Sequence, residues 1–270
     1  MFLGVEIGGT KLQLGVGDVH GRIKALERRS VERKKGARGI LRQIEEIVPP
    51  LIERYRARAI GVGFGGPVDL VTGRAVRSHQ IAGWNRFPVR RWFESKLGLP
   101  TVVENDQNVA ALAEACCGAG RGKRRVFYVN VGTGVGGGLV LDGEIDNGRY
   151  GAAEIGQMRV AVNGRLVTVE SVASGLAIEE GRATLTQSAR YLGLAIANMI
   201  ALLNPEVVIV GGGVTGAGAR FWRPLRRTVA RLVFQPYRRN YRLVRPALGE
   251  TVVVVGAVVL AARKFKRCAT

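Results

Sequence analysis

Residues 126–145 read VFYVNVGTGVGGGLVLDGEI, and the fold turns on the residues C-terminal to the glycines. Gly132-Thr133-Gly134-Val135-Gly136-Gly137 fits the spacing GxGxxG. In a dinucleotide-binding unit that loop opens a helix whose N-terminus holds the pyrophosphate. Here the glycines run straight into LVLDG, a second apolar strand, so the stretch predicts strand, glycine loop, strand. A second match, Gly211-Gly212-Gly213-Val214-Thr215-Gly216, does come after the strand EVVIV, but no acid lies where a ribose partner would stand. No GxxxxGK[ST] occurs, which excludes a P-loop.

Working outward, the same design recurs half a chain earlier. VEIGGTKLQLGV (5–16) and VNVGTGVGGGLV (129–140) each read as apolar strand, Gly/Thr turn, apolar strand. Glycine turns let backbone approach a ligand, and successive N–H groups in such turns make an anion-binding concavity. Two matching units predict two related α/β lobes facing each other across a cleft, with phosphate held between opposed hairpins. That is the plan of the actin/hexokinase/Hsp70 type of ATPase, a two-lobed, ribonuclease H-like α/β fold. The division predicted is residues 1–115 for the first lobe and 116–270 for the second.

Between the hairpins lies TVVENDQNVAALAEACCGAG (101–120), read as a short strand, a polar corner from Glu104 to Asn108, and a helix ending at Gly118. Asn105 or Asp106 could simply cap the helix. Elsewhere, apolar spacing predicts helices over 38–56 and 188–203 and strands at AIGVGF and EVVIV, with VVVVG (252–256) as a closing strand before a last helix. Trp84 and Trp92 are core candidates whose rings could also stack on a ligand. His20 is expected at an exposed turn, and Cys116 and Cys117 as small helix residues.

The chain has 270 residues, 47% hydrophobic, with 38 glycines, which fits a large globular core. MFLGVEIGGTK lacks a basic leader, and the run from Val252 to Ala262 is too short to span a bilayer, so no membrane partner is expected. Three cysteines make neither a disulfide framework nor a CxxC pair, which fits a reducing cytoplasm. The net charge is +20, with nine arginines and no acid from Val207 to Gly249. That pattern could serve a polyanion. With few aromatics in these stretches and no accompanying motif, nucleic acid is not the partner the sequence favours.

The motifs in order are GVEIGGTK (4–11), GVGFGGPVD (61–69), VENDQNVAALAE (103–114), VNVGTGVGGGL (129–139), GAAEIGQM (151–158), ESVASG (170–175) and NPEVVIVGGGV (204–214). Together they resemble the ROK family of sugar kinases, glucokinase-like members above all. The resemblance implies ATP-dependent phosphoryl transfer, with Mg²⁺, to a hexose or amino-sugar hydroxyl. It implies Asp106 as catalytic base, and Gly66, Asn105, Glu154, Gln157 and Glu170 on the sugar side. Glu6, Gly8, Gly9, Thr10 and Lys11 would form the first phosphate hairpin, and Gly132, Thr133, Gly134 and Gly136 the second. Gly211, Gly212 and Gly213 would lie beside the adenosine. A homodimer is a further implied possibility.

The chain also departs from the family. Gln157 replaces a usual histidine and VAVNGRLVTVESVASG lacks the cysteines of the family's zinc loop, which implies a zinc-free branch. Glu6 replaces a commoner aspartate, His79-Gln80 stand where an asparagine is often found, and the stretch from Ser174 to Leu192 looks short, as if part of a helical lobe were missing. The family includes repressors, but here the phosphate strand begins at residue 2 or 3, before any helix-turn-helix could fit. Asp106, placed at a helix N-terminus, is expected to stay ionised at neutral pH and to be a weak base.

Overall fold

A computed structural model describes residues 1–78, 81–149, 151 and 153–266. His79 and Gln80 lie outside the described residues. The first half runs β1 (Phe2–Ile7), β2 (Lys11–Gly17), β3 (Ile23–Ser30), α1 (Gly36–Tyr55), β4 (Ile60–Phe64), a small hairpin β5 (Val68–Asp69) and β6 (Arg74–Ala75), α2 (Val89–Leu97), β7 (Thr101–Asn105) and α3 (Asp106–Cys117). The second runs β8 (Arg125–Val131), β9 (Val135–Leu141), β10 (Glu144–Ile145), β11 (Arg159–Val162), β12 (Arg165–Thr168), α4 (Val169–Ala173), α5 (Gly175–Glu179), α6 (Leu185–Leu203), β13 (Val207–Gly211), α7 (Ala219–Leu232), β14 (Arg242–Val244) and α8 (Val252–Lys266).

The internal echo is a repeat of topology. One sheet has the order β3-β2-β1-β4-β7 and the other β10-β9-β8-β13-β14. In each, three antiparallel strands are extended by two parallel ones. The glycine hairpins β1–β2 and β8–β9 occupy equivalent positions.

Each sheet has its own outer core. Ile40, Ile44, Val48 and Phe93 of α1 and α2 pack on the first sheet, with Trp84 fully buried and Trp92 partly so. Both tryptophans serve the core. Leu192, Ile196 and Ile200 of α6 and Phe221, Leu225 and Val229 of α7 pack on the second. The inner faces share a middle layer of α3 and α8.

VVVVG forms no strand; it opens the helix α8. β-Branched residues disfavour a helix only weakly, and tertiary burial overrides the preference. Val252 to Val255 are all buried, and Gly256 is needed where α8 crosses α3, because a Cβ there would stand 2.0 Å from the Val109 carbonyl oxygen. α8 also crosses the first sheet: a Cβ on Gly61 of β4 would meet the Ala257 carbonyl oxygen at 2.0 Å. The chain's last helix therefore packs on the lobe begun by its first strand, and a division at residue 115 leaves out that return.

Candidate active site

The corner at 104–108 is built as a helix start. Asn105 is extended at φ −62°, ψ 142°, and its Oδ1 accepts from the N–H groups of Gln107 (2.8 Å) and Asn108 (3.3 Å). Asn105, not Asp106, is the cap. Its Nδ2 donates to the Gly66 carbonyl at 3.1 Å, which ties the corner to the GGP turn and, among the described residues, leaves one amide hydrogen free. Gly66 is held closely itself, since a Cβ there would lie 2.7 Å from the Arg77 carbonyl oxygen.

With capping assigned to its neighbour, the Asp106 carboxylate faces the first hairpin. A methyl group on Gly65 would sit 3.6 Å from Asp106 Oδ2 and 3.6 Å from Gly8 Cα. On the other side, a Cβ on Gly136 of β9 would meet Gln107 Cγ at 2.8 Å. The first turn of α3 is thus wedged between the two hairpins.

The first hairpin closes through Gly8 N–H donating to the Lys11 carbonyl at 3.1 Å. Arg33 Nε donates to the Gly9 carbonyl (3.1 Å) and Val31 N–H to the Thr10 carbonyl (3.0 Å), which fixes the loop from β3's side. Glu6 is buried, with Lys11 Nζ 3.3 Å from Oε1 and Gln13 Nε2 donating to Oε2 at 2.7 Å. Burial pushes its carboxyl up, and Lys11 only partly opposes that.

The second hairpin closes through Gly132 N–H donating to the Gly134 carbonyl at 2.9 Å. α5 holds it from outside, where Gly175 N–H donates to the Gly132 carbonyl at 2.7 Å. Glu170 Oε2 accepts from Val135 N–H at 2.9 Å, so this carboxylate braces the phosphate hairpin. Glu154 and Gln157 are exposed; burial and then the Glu170 charge push the Glu154 carboxyl up. Gly212, at φ +94°, is pressed on β8, where a Cβ would meet the Val131 backbone at 2.4 Å, whereas Gly213 faces open space. The third loop therefore adjoins the second.

Asp106 departs from the sequence expectation. Its pKa is pushed up to about 7 by burial between the lobes and then by the negative charge of Glu6. Hydrogen bonds from Gln107 and its own N–H act the other way and lose. Desolvation and a like charge outweigh the helix N-terminus.

Two contacts were not legible in the sequence. Glu104, buried beside Asp106, accepts from Asn105 N–H (2.8 Å), Asn108 Nδ2 (3.1 Å) and Asn147 Nδ2 (2.7 Å). Glu104 lay within the polar corner, but nothing pointed to Asn147, which comes after β10 in the other half of the chain. Glu114 is fully buried and accepts from Ala119, Ala247 and Leu248 N–H groups, pinning the approach to α8 onto α3.

In place of a zinc loop, β11 and β12 pair directly, with Asn163 at φ 49° and Gly164 at φ 76° as a two-residue turn. Among the described residues no group of three or more His, Cys, Asp or Glu could hold a metal ion, and no helix is long and apolar enough to cross a membrane.

The family model for ROK matches residues 2–187 and 179–264. The chain belongs to the ROK family. Among ROK relatives, a glucokinase of Thermotoga maritima is 28% identical, covering 94% of this chain and 95% of its own. The crystal structure of a ROK hexokinase from Thermus thermophilus aligns with TM-score 0.86 at 28% identity, over 98% of this chain and 99% of that one. A ROK glucokinase from Streptomyces griseus, solved with glucose and AMPPNP, aligns with TM-score 0.81 at 29% identity, over 97% and 99%. Both structures confirm the two-lobed, hexokinase-like α/β fold. The alignment with the Thermotoga maritima glucokinase runs over 301 residues, more than this chain's 270, and the family match divides into two segments at residues 179–187, as the short stretch from Ser174 to Leu192 implies. The stretch from Ser174 to Leu192 folds as α5, a turn, and the start of α6 under a Thr184–Gln187 capping box.

Proposed function

We propose that this ROK protein is an ATP-dependent hexose kinase in which Asp106 accepts the proton of the attacking sugar hydroxyl. One observation carries the reading: a carboxylate with a pKa of about 7 lies between two glycine hairpins of equivalent topology. A general base works best with its pKa near the operating pH. Phosphoryl transfer asks for in-line placement and charge neutralisation rather than covalent chemistry by the protein.

Backbone N–H groups of residues 9–11 and 133–134 would hold the donor's phosphates from opposite sides, those of Gly8 and Gly132 closing the hairpins themselves, with Lys11 as the nearby cation. Gly211 to Gly213 would border the adenosine. The free amide hydrogen of Asn105, the exposed Glu154 and Gln157, and the second oxygen of Glu170 would orient sugar hydroxyls, which charged acceptors bind well. Asp106 takes the hydroxyl proton as the oxygen nears phosphorus. Mg²⁺, when bound with the donor, would supply further charge neutralisation. Glu6, whose oxygens already face Lys11 and Gln13, would lie near an ion brought in by the nucleotide without ligating it directly.

The test is ADP release with ATP and Mg²⁺ against a panel of hexoses and amino sugars, with Asp106→Asn beside the wild type. Sugar-dependent turnover that collapses in the variant supports the kinase and names its acceptor. A sugar that raises the Tm without stimulating turnover would instead make this chain a sugar sensor.

A further inference from the structure

We propose that the groove between α6 and α7 binds the phosphodiester backbone of single-stranded nucleic acid. The groove holds about 610 Å³ and shares no lining residue with the candidate active site. Arg190 enters it from α6, and Arg223, Arg227 and Arg231 from α7. Among the described residues none of these four makes an ion pair. Neither helix carries a single Asp or Glu. Thr186 lines the groove from the first turn of α6, the positive end of that helix.

This arrangement costs stability if it has no occupant. Arg223, Arg227 and Arg231 repeat every fourth residue, so like charges stack one above another on α7, where pairs of opposite sign would stabilise it. The three guanidinium stems span roughly 12 Å along the helix, which suits several separated negative charges better than one. Guanidinium groups meet phosphate oxygens in a bidentate way.

Aromatic residues decide the kind of polyanion. The sequence shows few beside these arginines, but the fold brings Tyr191 of α6 into the groove. Just beyond α7, Phe234 is 55% exposed and packs edge-on against Tyr237 at 5.3 Å. A cationic track flanked by aromatic faces is how single strands are held without sequence readout. A lipid surface fits poorly, because the apolar side of α7 (Phe221, Trp222, Leu225, Val229) is buried in the core. A second copy of the chain would bring the same charge.

The experiment is fluorescence anisotropy of a labelled twenty-nucleotide oligo-dT with the full chain, between 50 and 200 mM salt. Arg190, Arg223, Arg227 and Arg231, all changed to Gln, are compared with a control in which exposed Arg38, Arg42, Arg91 and Arg165 become Gln. Both variants lower net charge equally. The groove variant should shorten the slope of log affinity against log salt by about 3 and bind at least ten-fold more weakly, while the control keeps the wild-type slope. Phe234→Ala should weaken oligo-dT about ten-fold and leave inorganic polyphosphate binding unchanged. Equal loss in groove and control variants would reduce the effect to net charge and overturn the site. Insensitivity to Phe234→Ala together with tight polyphosphate binding would overturn the nucleic-acid occupant. No binding at 50 mM salt would overturn both.

Discussion

The two glycine hairpins share a topology and differ in chemistry. The first is a charged device. Glu6 holds Lys11 and Gln13, Gln13 accepts from Arg28 at 2.9 Å, and both Lys11 and Gln13 donate to the Glu250 carbonyl at the entry to α8. The second is a backbone device. Its loop is fixed by α5 N–H groups and by one carboxylate, Glu170, that accepts from Val135. A duplicated hairpin therefore divides the work, one copy supplying ionisable side chains and the other supplying oriented amides. Asp106 sits where the two meet, which is why its proton affinity reports on the first hairpin while its position depends on the second.

Breaking the seam itself has the largest expected effect. Asp106→Asn should lower kcat by about 10²–10⁴-fold, the usual worth of a positioned base, with little change in sugar KM. Next comes the second hairpin's rear wall. Gly212→Ala forces a methyl into the Val131 backbone at a positive φ, and the strand end beneath Gly132 must move. We expect a loss of about 2–4 kcal/mol of stability and a raised ATP KM, checked by thermal melts and initial rates.

How far the sequence could carry this comparison depends on the distance between the parts. The hairpins were legible because each is one local pattern, strand–glycine–strand, and the corner because capping residues and an Ala-rich run are adjacent. The turn at Asn163-Gly164 is equally local. Its Asn-Gly between alternating strands is a strong hairpin signal, masked only where the missing cysteines dominate the reading of that stretch. Val252 to Val255 misled because local β-preference cannot see that α8 is enclosed between α3 and the first sheet. The pKa of Asp106 misled for the same reason: the helix terminus is local, whereas the burial and the Glu6 charge that win come from tertiary structure. Asn147 on Glu104, and Arg190 beside Arg227, join segments that no spacing rule connects.

A smaller effect would separate bracing from sugar binding at Glu170. Glu170→Gln keeps shape but replaces a charged acceptor for Val135 N–H by a neutral one. If Glu170 both braces the hairpin and holds sugar, KM for ATP and for sugar should each rise about ten-fold. A rise in sugar KM alone would show that the hairpin stands without it.

The finest test reads the first hairpin through Asp106. Its raised pKa means that between about pH 4 and 7 the folded protein holds a proton that the unfolded chain has released. Stability therefore falls as pH rises across that window. At pH 8 Asp106→Asn should be more stable than wild type by on the order of 2–4 kcal/mol, with the difference fading below pH 4. The rate of the wild type should track the ionised base, so kcat/KM should fall on the acid side of about pH 7. Glu6→Gln removes the like charge but leaves the burial, the larger cause. The acid limb should then move to lower pH by less than the full distance back to an ordinary aspartate. An unmoved limb would mean that the two hairpins are electrostatically independent at Asp106; a limb near pH 4 would mean that the charged hairpin, not the enclosure by both lobes, sets the proton affinity of the base.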